Sequence, residues 1–164
     1  MDDGIHPVLF VCTGNSARSI MAEGLLNHLG RGRFQAHSAG SHPTGVVNPW
    51  ALDTLKALGV QDMPWRSKSW DEFAAAGAPA LHFVFTVCDS AAGEACPYWP
   101  GQPMTAHWGL PDPAAVEGSD DDKQRAFMHT ALALKRRIEL MLALPMARLD
   151  AMSLQSRLKD IGTA

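Results

Sequence analysis

The stretch Pro7 to Ser19, PVLFVCTGNSARS, decides how the rest of the chain is read. The apolar run Pro7-Val8-Leu9-Phe10-Val11 has the character of a buried strand, and it stops at a thiol, Cys12. From Ile20 to Leu29 the apolar residues recur at helical spacing. A cysteine therefore sits on a strand–helix joint, small or polar residues fill the gap, and an arginine stands six positions further on.

Outward from that joint, strands and helices alternate. Gln35 to Gly40 reads as a short second strand, and Ser41 to Val47, with Pro43 and Gly45, as a loop. Asn48 can cap a helix that holds Pro49 in its first turn, places Trp50, Leu52, Leu55 and Leu58 on one face and closes at Gly59. Trp70 to Ala76 reads as a shorter helix. Leu81 to Val87 is the strongest strand signal in the chain and also ends at a cysteine, Cys88. Met104 to Trp108 reads as the last strand, and Asp120 to Leu144 as a long helix with Phe127, Ala131, Leu134, Ile138 and Leu142 at helical spacing. The triplet Asp120 to Asp122 supplies negative charge to that helix's start. This alternation predicts one α/β domain with a mostly parallel sheet, spanning 1–145, followed by a C-terminal helical tail, 146–164.

Composition sets the surroundings. The 164 residues suit a single domain with a substantial core, and 46% hydrophobic against 19% charged residues is the balance of an ordinary globule. A net charge of −3 without a dense Lys/Arg run gives no footprint for nucleic acid. No apolar stretch is long enough for a membrane span, and the N-terminus lacks the pattern of a signal peptide. Three cysteines in such a chain argue against a disulfide scaffold and for a reducing cytoplasm, where thiols stay available for reaction.

In an open parallel sheet, ligands bind beyond the carboxyl ends of the strands. Cys12 and Cys88 both lie at such ends, and the Pro-rich loop carrying Asp112 should reach the same rim. The loop Thr13-Gly14-Asn15-Ser16-Ala17 leads into a helix N-terminus, whose first N–H groups lack intrahelical partners. Curled inward, those donors form an anion cradle, and the guanidinium of Arg18 offers a planar fork for two oxygens of a tetrahedral oxyanion. The same field favours a thiolate at Cys12. Taken singly, a strand-end cysteine is a small hydrophobe and an arginine in a first helical turn is merely solvated. Cysteine, five residues, arginine and serine on a strand–loop–helix joint is a far more specific combination. It is not a nucleotide P-loop, since the Gly-Lys-Ser/Thr ending is missing.

The segment VLFVCTGNSARSIMAEGLL resembles the phosphate-binding loop and first helix of the low-molecular-weight protein tyrosine phosphatases and the related arsenate reductases. The likeness continues through HSAG (His37 to Gly40), FTVCDSAAGEACPYWPG (Phe85 to Gly101) and HWGLPDPA (His107 to Ala114), and the later segments are similar to the reductase branch. The resemblance implies a three-layer α/β/α fold on a four-stranded parallel sheet. It implies Cys12 as nucleophile, Arg18 and the loop amides as the oxyanion grip, and Asp112 as proton donor and acceptor. It further implies a Ser19 hydrogen bond to the Cys12 thiolate and an Asn15 that braces the loop.

For the reductase branch the resemblance implies a relay in which Cys88 attacks Cys12, arsenite leaves, and Cys96 then forms a disulfide with Cys88 for an external thiol system to reduce. Seven residues separate Cys88 from Cys96, against six in the thioredoxin-coupled pattern, so thioredoxin and glutaredoxin with glutathione both stay open as the reductant. The alternatives are a phosphatase using Cys12, Arg18 and Asp112 alone, and a non-catalytic oxyanion-binding or redox-sensing module. The phosphatase signature differs at Ala17 and Ile20, and Pro113-Ala114-Ala115 lacks the aromatic pair of a phosphotyrosine pocket. No resident metal is expected: Cys88, Cys96 and His107 have no evident fourth ligand. Some reductases of the family bind potassium through residues matching Asn15, Glu23 and Ser38, but the remaining acidic position falls on Ser69, leaving that set incomplete. Monomer and homodimer both stay open.

Overall fold

The computed structural model describes residues 5–88, 99 and 102–163. Four strands, β1 (His6–Cys12), β2 (Phe34–Gly40), β3 (Phe83–Thr86) and β4 (Met104–His107), form one sheet in the order β2-β1-β3-β4. Every pairing is parallel. β1 is interior, flanked by β2 and β3, which explains its continuous apolar run: Val8 to Val11 are all buried.

Register sorts the side chains onto two faces. Phe10 lies level with Ser38, Phe85 and Ala106, and Cys12, two residues on, shares that face. Phe10 and Phe85 stack there with Trp108, which is fully buried. Three helices cover this side: α1 (Arg18–Leu29), α2 (Pro49–Ala57) and the long α4 (Asp120–Leu142). Short α3 (Asp71–Ala74) lies across the opposite face, where its Phe73 meets the His37 ring of β2. The result is the expected α/β/α layering.

Asn48 caps α2 through a 2.8 Å bond from the Trp50 N–H, Pro49 holds the first turn, and Gly59 follows the end at φ +82°. Ser119 and Asp122 close a reciprocal capping box at the start of α4. The helix expected over Trp70 to Ala76 shrinks to four residues. Tertiary structure claims its start: Ser69 bridges Gly40, and the Trp70 N–H donates to the Gly40 carbonyl at 2.9 Å. β3 is shorter than the apolar run that predicts it, since both its neighbours pair only along Phe83–Thr86.

After a 3-10 turn at Met146–Arg148, α5 (Ala151–Ile161) folds back over β4. Trp108 Nε1 donates to the Leu158 carbonyl at 2.9 Å. Gly162 approaches so closely that a Cβ there would sit 2.1 Å from the His107 oxygen. Among the described residues no helix is long and apolar enough to cross a membrane.

Candidate active site

Parallel pairing of β1 with β3 brings the two described cysteines together. Val11 lies level with Thr86, and the Val87 N–H donates to the Val11 carbonyl at 2.9 Å, so the chain delivers Cys88 beside Cys12 and Thr13. Both thiols are buried and unbridged, and they lie near each other. Cys88 Sγ also accepts from the Thr13 N–H at 3.3 Å and lies 3.5 Å from Thr13 Oγ1.

This contact corrects one expectation. The Cys12 thiol is pushed up from its ordinary value rather than down, first by its hydrogen bond to Cys88 and then by burial. The Arg18 charge and the Thr13 amide act in the opposite direction and do not prevail.

The loop carries the cradle. The carbonyls of Thr13, Gly14 and Ser16 turn outward and accept from the amides of His42, Thr44 and Asn48 at 2.9–3.0 Å. In a trans peptide the next N–H points opposite to the carbonyl. The N–H groups of Gly14, Asn15 and Ala17 are therefore directed away from the 42–48 segment, and among the described residues they meet no acceptor. Asn15 adopts φ +47°, the left-handed conformation that reverses the chain here. Gly40 is required at the end of β2: a Cβ would lie 2.5 Å from the Thr13 oxygen.

Asn15 is fully buried and spans the loop. Its Nδ2 donates to Ser19 Oγ at 2.8 Å, and its Oδ1 accepts from the Lys68 N–H at 2.8 Å. Ser19 is thus placed as the acceptor of Asn15. Beneath, Ser38 Oγ donates to Glu23 Oε1 at 2.5 Å, and Lys68 Nζ stands 4.0 Å from that same oxygen. Burial raises Glu23 above the usual carboxylate range against the opposing pull of Ser38, Lys68 and Arg66, and burial lowers Lys68.

Arg18 joins the loop to the segment carrying Asp112. Its Nη1 donates to the Leu110 carbonyl at 2.8 Å, and its Nη2 lies 3.9 Å from Asp112 Oδ2. The arginine side chain is 14% exposed and the aspartate 45%, so the carboxylate sits at the mouth with the guanidinium below it. Asp112 Oδ1 accepts from the Ala114 N–H at 3.0 Å and caps a 3-10 turn at Pro113–Ala115. Buried Arg137 of α4 holds the same segment from behind, donating to the Trp108 and Gly109 carbonyls at 2.8 and 3.2 Å.

Cys12, Arg18, Asp112 and Cys88 are therefore brought to one rim. Cys96 lies outside the described residues. Lys68 and Arg137 escape sequence reasoning: one sits in a polar loop without periodicity, the other in a charged helical stretch that reads as solvated. Beside the Asp112 turn lies an open cleft lined by Asn48, Trp50, Val116, Glu117, Lys123 and Phe127. Its aromatic wall is half-buried Trp50 and buried Phe127. Among the described residues no group of three or more His, Cys, Asp or Glu side chains is arranged to hold a metal ion.

Residues 7–153 match the family described as low molecular weight phosphotyrosine protein phosphatase. An arsenate reductase of Halalkalibacterium halodurans is 35% identical over 132 residues, covering 80% of this chain and 91% of that protein. A solved arsenate reductase in the phosphate binding state superposes with TM-score 0.65 at 27% identity, covering 85% of this chain and 98% of that one. A low molecular weight protein tyrosine phosphatase from T. tengcongensis gives TM-score 0.64 at 26% identity, covering 82% and 95%.

Proposed function

Because this chain belongs to the low molecular weight phosphotyrosine protein phosphatase family, and its relatives at 31–35% identity are arsenate reductases, we propose that it reduces arsenate to arsenite through a relay of cysteines. The observation that carries this reading is the juxtaposition of Cys12 and Cys88 at the ends of neighbouring strands, with Cys88 Sγ on the Thr13 N–H next to Cys12. A hydrolase needs only the first sulfur. A relay needs the second within reach of it, because thiol exchange proceeds by direct attack of sulfur on sulfur.

Arsenate sits in the loop with its oxygens toward the amides of Gly14, Asn15 and Ala17, Thr13 and Ser16 completing the turn, and toward the Arg18 fork. Cys12 Sγ attacks arsenic, and one oxygen leaves as water with a proton supplied by Asp112. The Ser19 hydroxyl, held by Asn15, steadies the charge on Cys12. Cys88 then attacks Cys12 Sγ: the sulfur–arsenic bond breaks, its electron pair stays on arsenic, and arsenite departs. The Cys12–Cys88 disulfide so formed accounts for the two electrons. Cys96 attacks Cys88, restores the Cys12 thiolate and leaves a Cys88–Cys96 disulfide. An external dithiol, thioredoxin or glutaredoxin with glutathione, returns both to thiols. Such a cycle runs in a reducing cytoplasm.

The test follows NADPH consumption with arsenate and either a thioredoxin or a glutaredoxin system, and separately the hydrolysis of p-nitrophenyl phosphate. Cys12→Ser should abolish both. Cys88→Ser should stop arsenite release and leave any ester hydrolysis in place. Ester hydrolysis alone, indifferent to Cys88, would make the protein a phosphatase instead.

A further inference from the structure

Potassium is the cation that the family resemblance offers for Asn15, Glu23, Ser38 and Ser69, and the residues here do not fit it. Asn15 Oδ1 is already occupied by the Lys68 N–H, and the Ser38 hydroxyl donates its proton to Glu23. Ser69 Oγ accepts from the Asp71 N–H at 3.1 Å, turned to the start of α3. A positive charge is nevertheless present. The Lys68 side chain is only 10% exposed, and its ammonium stands 4.0 Å from Glu23 Oε1 and donates to the Arg66 carbonyl at 3.1 Å. Arg66 itself points outward in a two-pronged pair with Glu72 at 2.9 and 2.6 Å, so it does not compete for that place.

We propose that the ammonium of Lys68 is a built-in monovalent cation beneath the oxyanion loop, which makes this protein independent of potassium and Lys68 a positioning residue for the loop. Backbone and side chain of one residue act together. The Lys68 N–H holds Asn15, whose other end holds Ser19, and the Lys68 carbonyl accepts from the Gly40 N–H at 2.9 Å. The ammonium neutralises Glu23 on α1, the helix whose N-terminus closes the loop. Loop, β2 end and α1 are thereby tied through one lysine. A second cation beside Glu23 Oε1 would stand next to the ammonium, where like charges repel.

The inference rests on the oxyanion-binding reading of the loop but not on arsenate turnover. The test therefore reads phosphate binding by calorimetry and the thermal midpoint, in potassium chloride and in choline chloride at the same ionic strength. Arsenate reduction is a separate measurement. Wild type should bind phosphate equally in both salts. Lys68→Ala should lose affinity by about tenfold, the scale of outer-shell partners, in both salts, because the Lys68 N–H still occupies Asn15 Oδ1 and Ser38 still donates to Glu23, whereas Lys68→Arg, which keeps the charge, should retain it. Lys68→Met, keeping the volume without the charge, should lose affinity in both. A wild type that needs potassium, an unimpaired Lys68→Ala, or a loss that potassium restores would each overturn the proposal. Absence of arsenate reduction with these binding results intact would count against the relay alone.

Discussion

Replacing Cys88 by alanine removes the largest of the three influences that push the Cys12 thiol upward, and the smallest with it. The first is hydrogen bonding to Cys88, the second is burial and the third is the electrostatic effect of Cys88, while Arg18 and the Thr13 amide pull the other way. In Cys88→Ala the burial remains, the opposing groups remain, and the hydrogen bond is gone. Hydrogen bonds that involve a charged partner contribute about 1.5–3 kcal/mol. At about 1.36 kcal/mol per pKa unit, that predicts a fall of about 1–2 units for Cys12. The assay is the rate of iodoacetamide alkylation across a pH series, with the modified peptide identified by mass spectrometry so that Cys12 is read separately from Cys96. The inflection for Cys12 should move down by about 1–2 units, which makes alkylation at neutral pH about 10–100-fold faster. Cys88→Ser, which keeps a hydroxyl donor and acceptor, should move it less. An inflection that stays in place or rises in Cys88→Ala would refute the reasoning, because Cys88 would then not be what keeps the proton on Cys12.

The same pair makes stability depend on pH. A raised folded-state value means that the native protein keeps the Cys12 proton where the unfolded thiol, with an ordinary value of about 8.5, has lost it, so this contribution is present below that value and declines above it. Melting midpoints from pH 7 to 10 should therefore fall more steeply for wild type than for Cys88→Ala; parallel curves would contradict this. Arg137→Met leaves the Trp108 and Gly109 carbonyls without their buried donor and should cost about 1–3 kcal/mol in urea unfolding. It should also slow arsenate turnover, since those carbonyls lie in the segment that carries Asp112. An unaltered urea midpoint would show the arginine to be dispensable.

Physical pattern made some of this legible in one dimension. Val8 to Val11 read as a buried strand, because four apolar residues in a row need cover on both faces. Asn48, Pro49 and Gly59 wrote the limits of α2 through local capping chemistry. The joint from Cys12 to Arg18 announced an oxyanion loop, because the donors a helix leaves unpaired and a guanidinium six positions from a thiol are consequences of short-range geometry. Tertiary structure alone decided what depends on distant segments meeting. The register of β1 against β3 set Cys88 against Cys12 and so reversed the expected sign of the nucleophile's acidity. The bridge from Gly40 to Ser69 shortened α3 and carried Lys68 beneath the loop, and the packing of α4 behind Trp108 turned a seemingly solvated Arg137 inward. Local periodicity records which face of an element is buried. It does not record which charged or polar group from elsewhere in the chain will be waiting there, and in a low-dielectric interior that neighbour decides the chemistry.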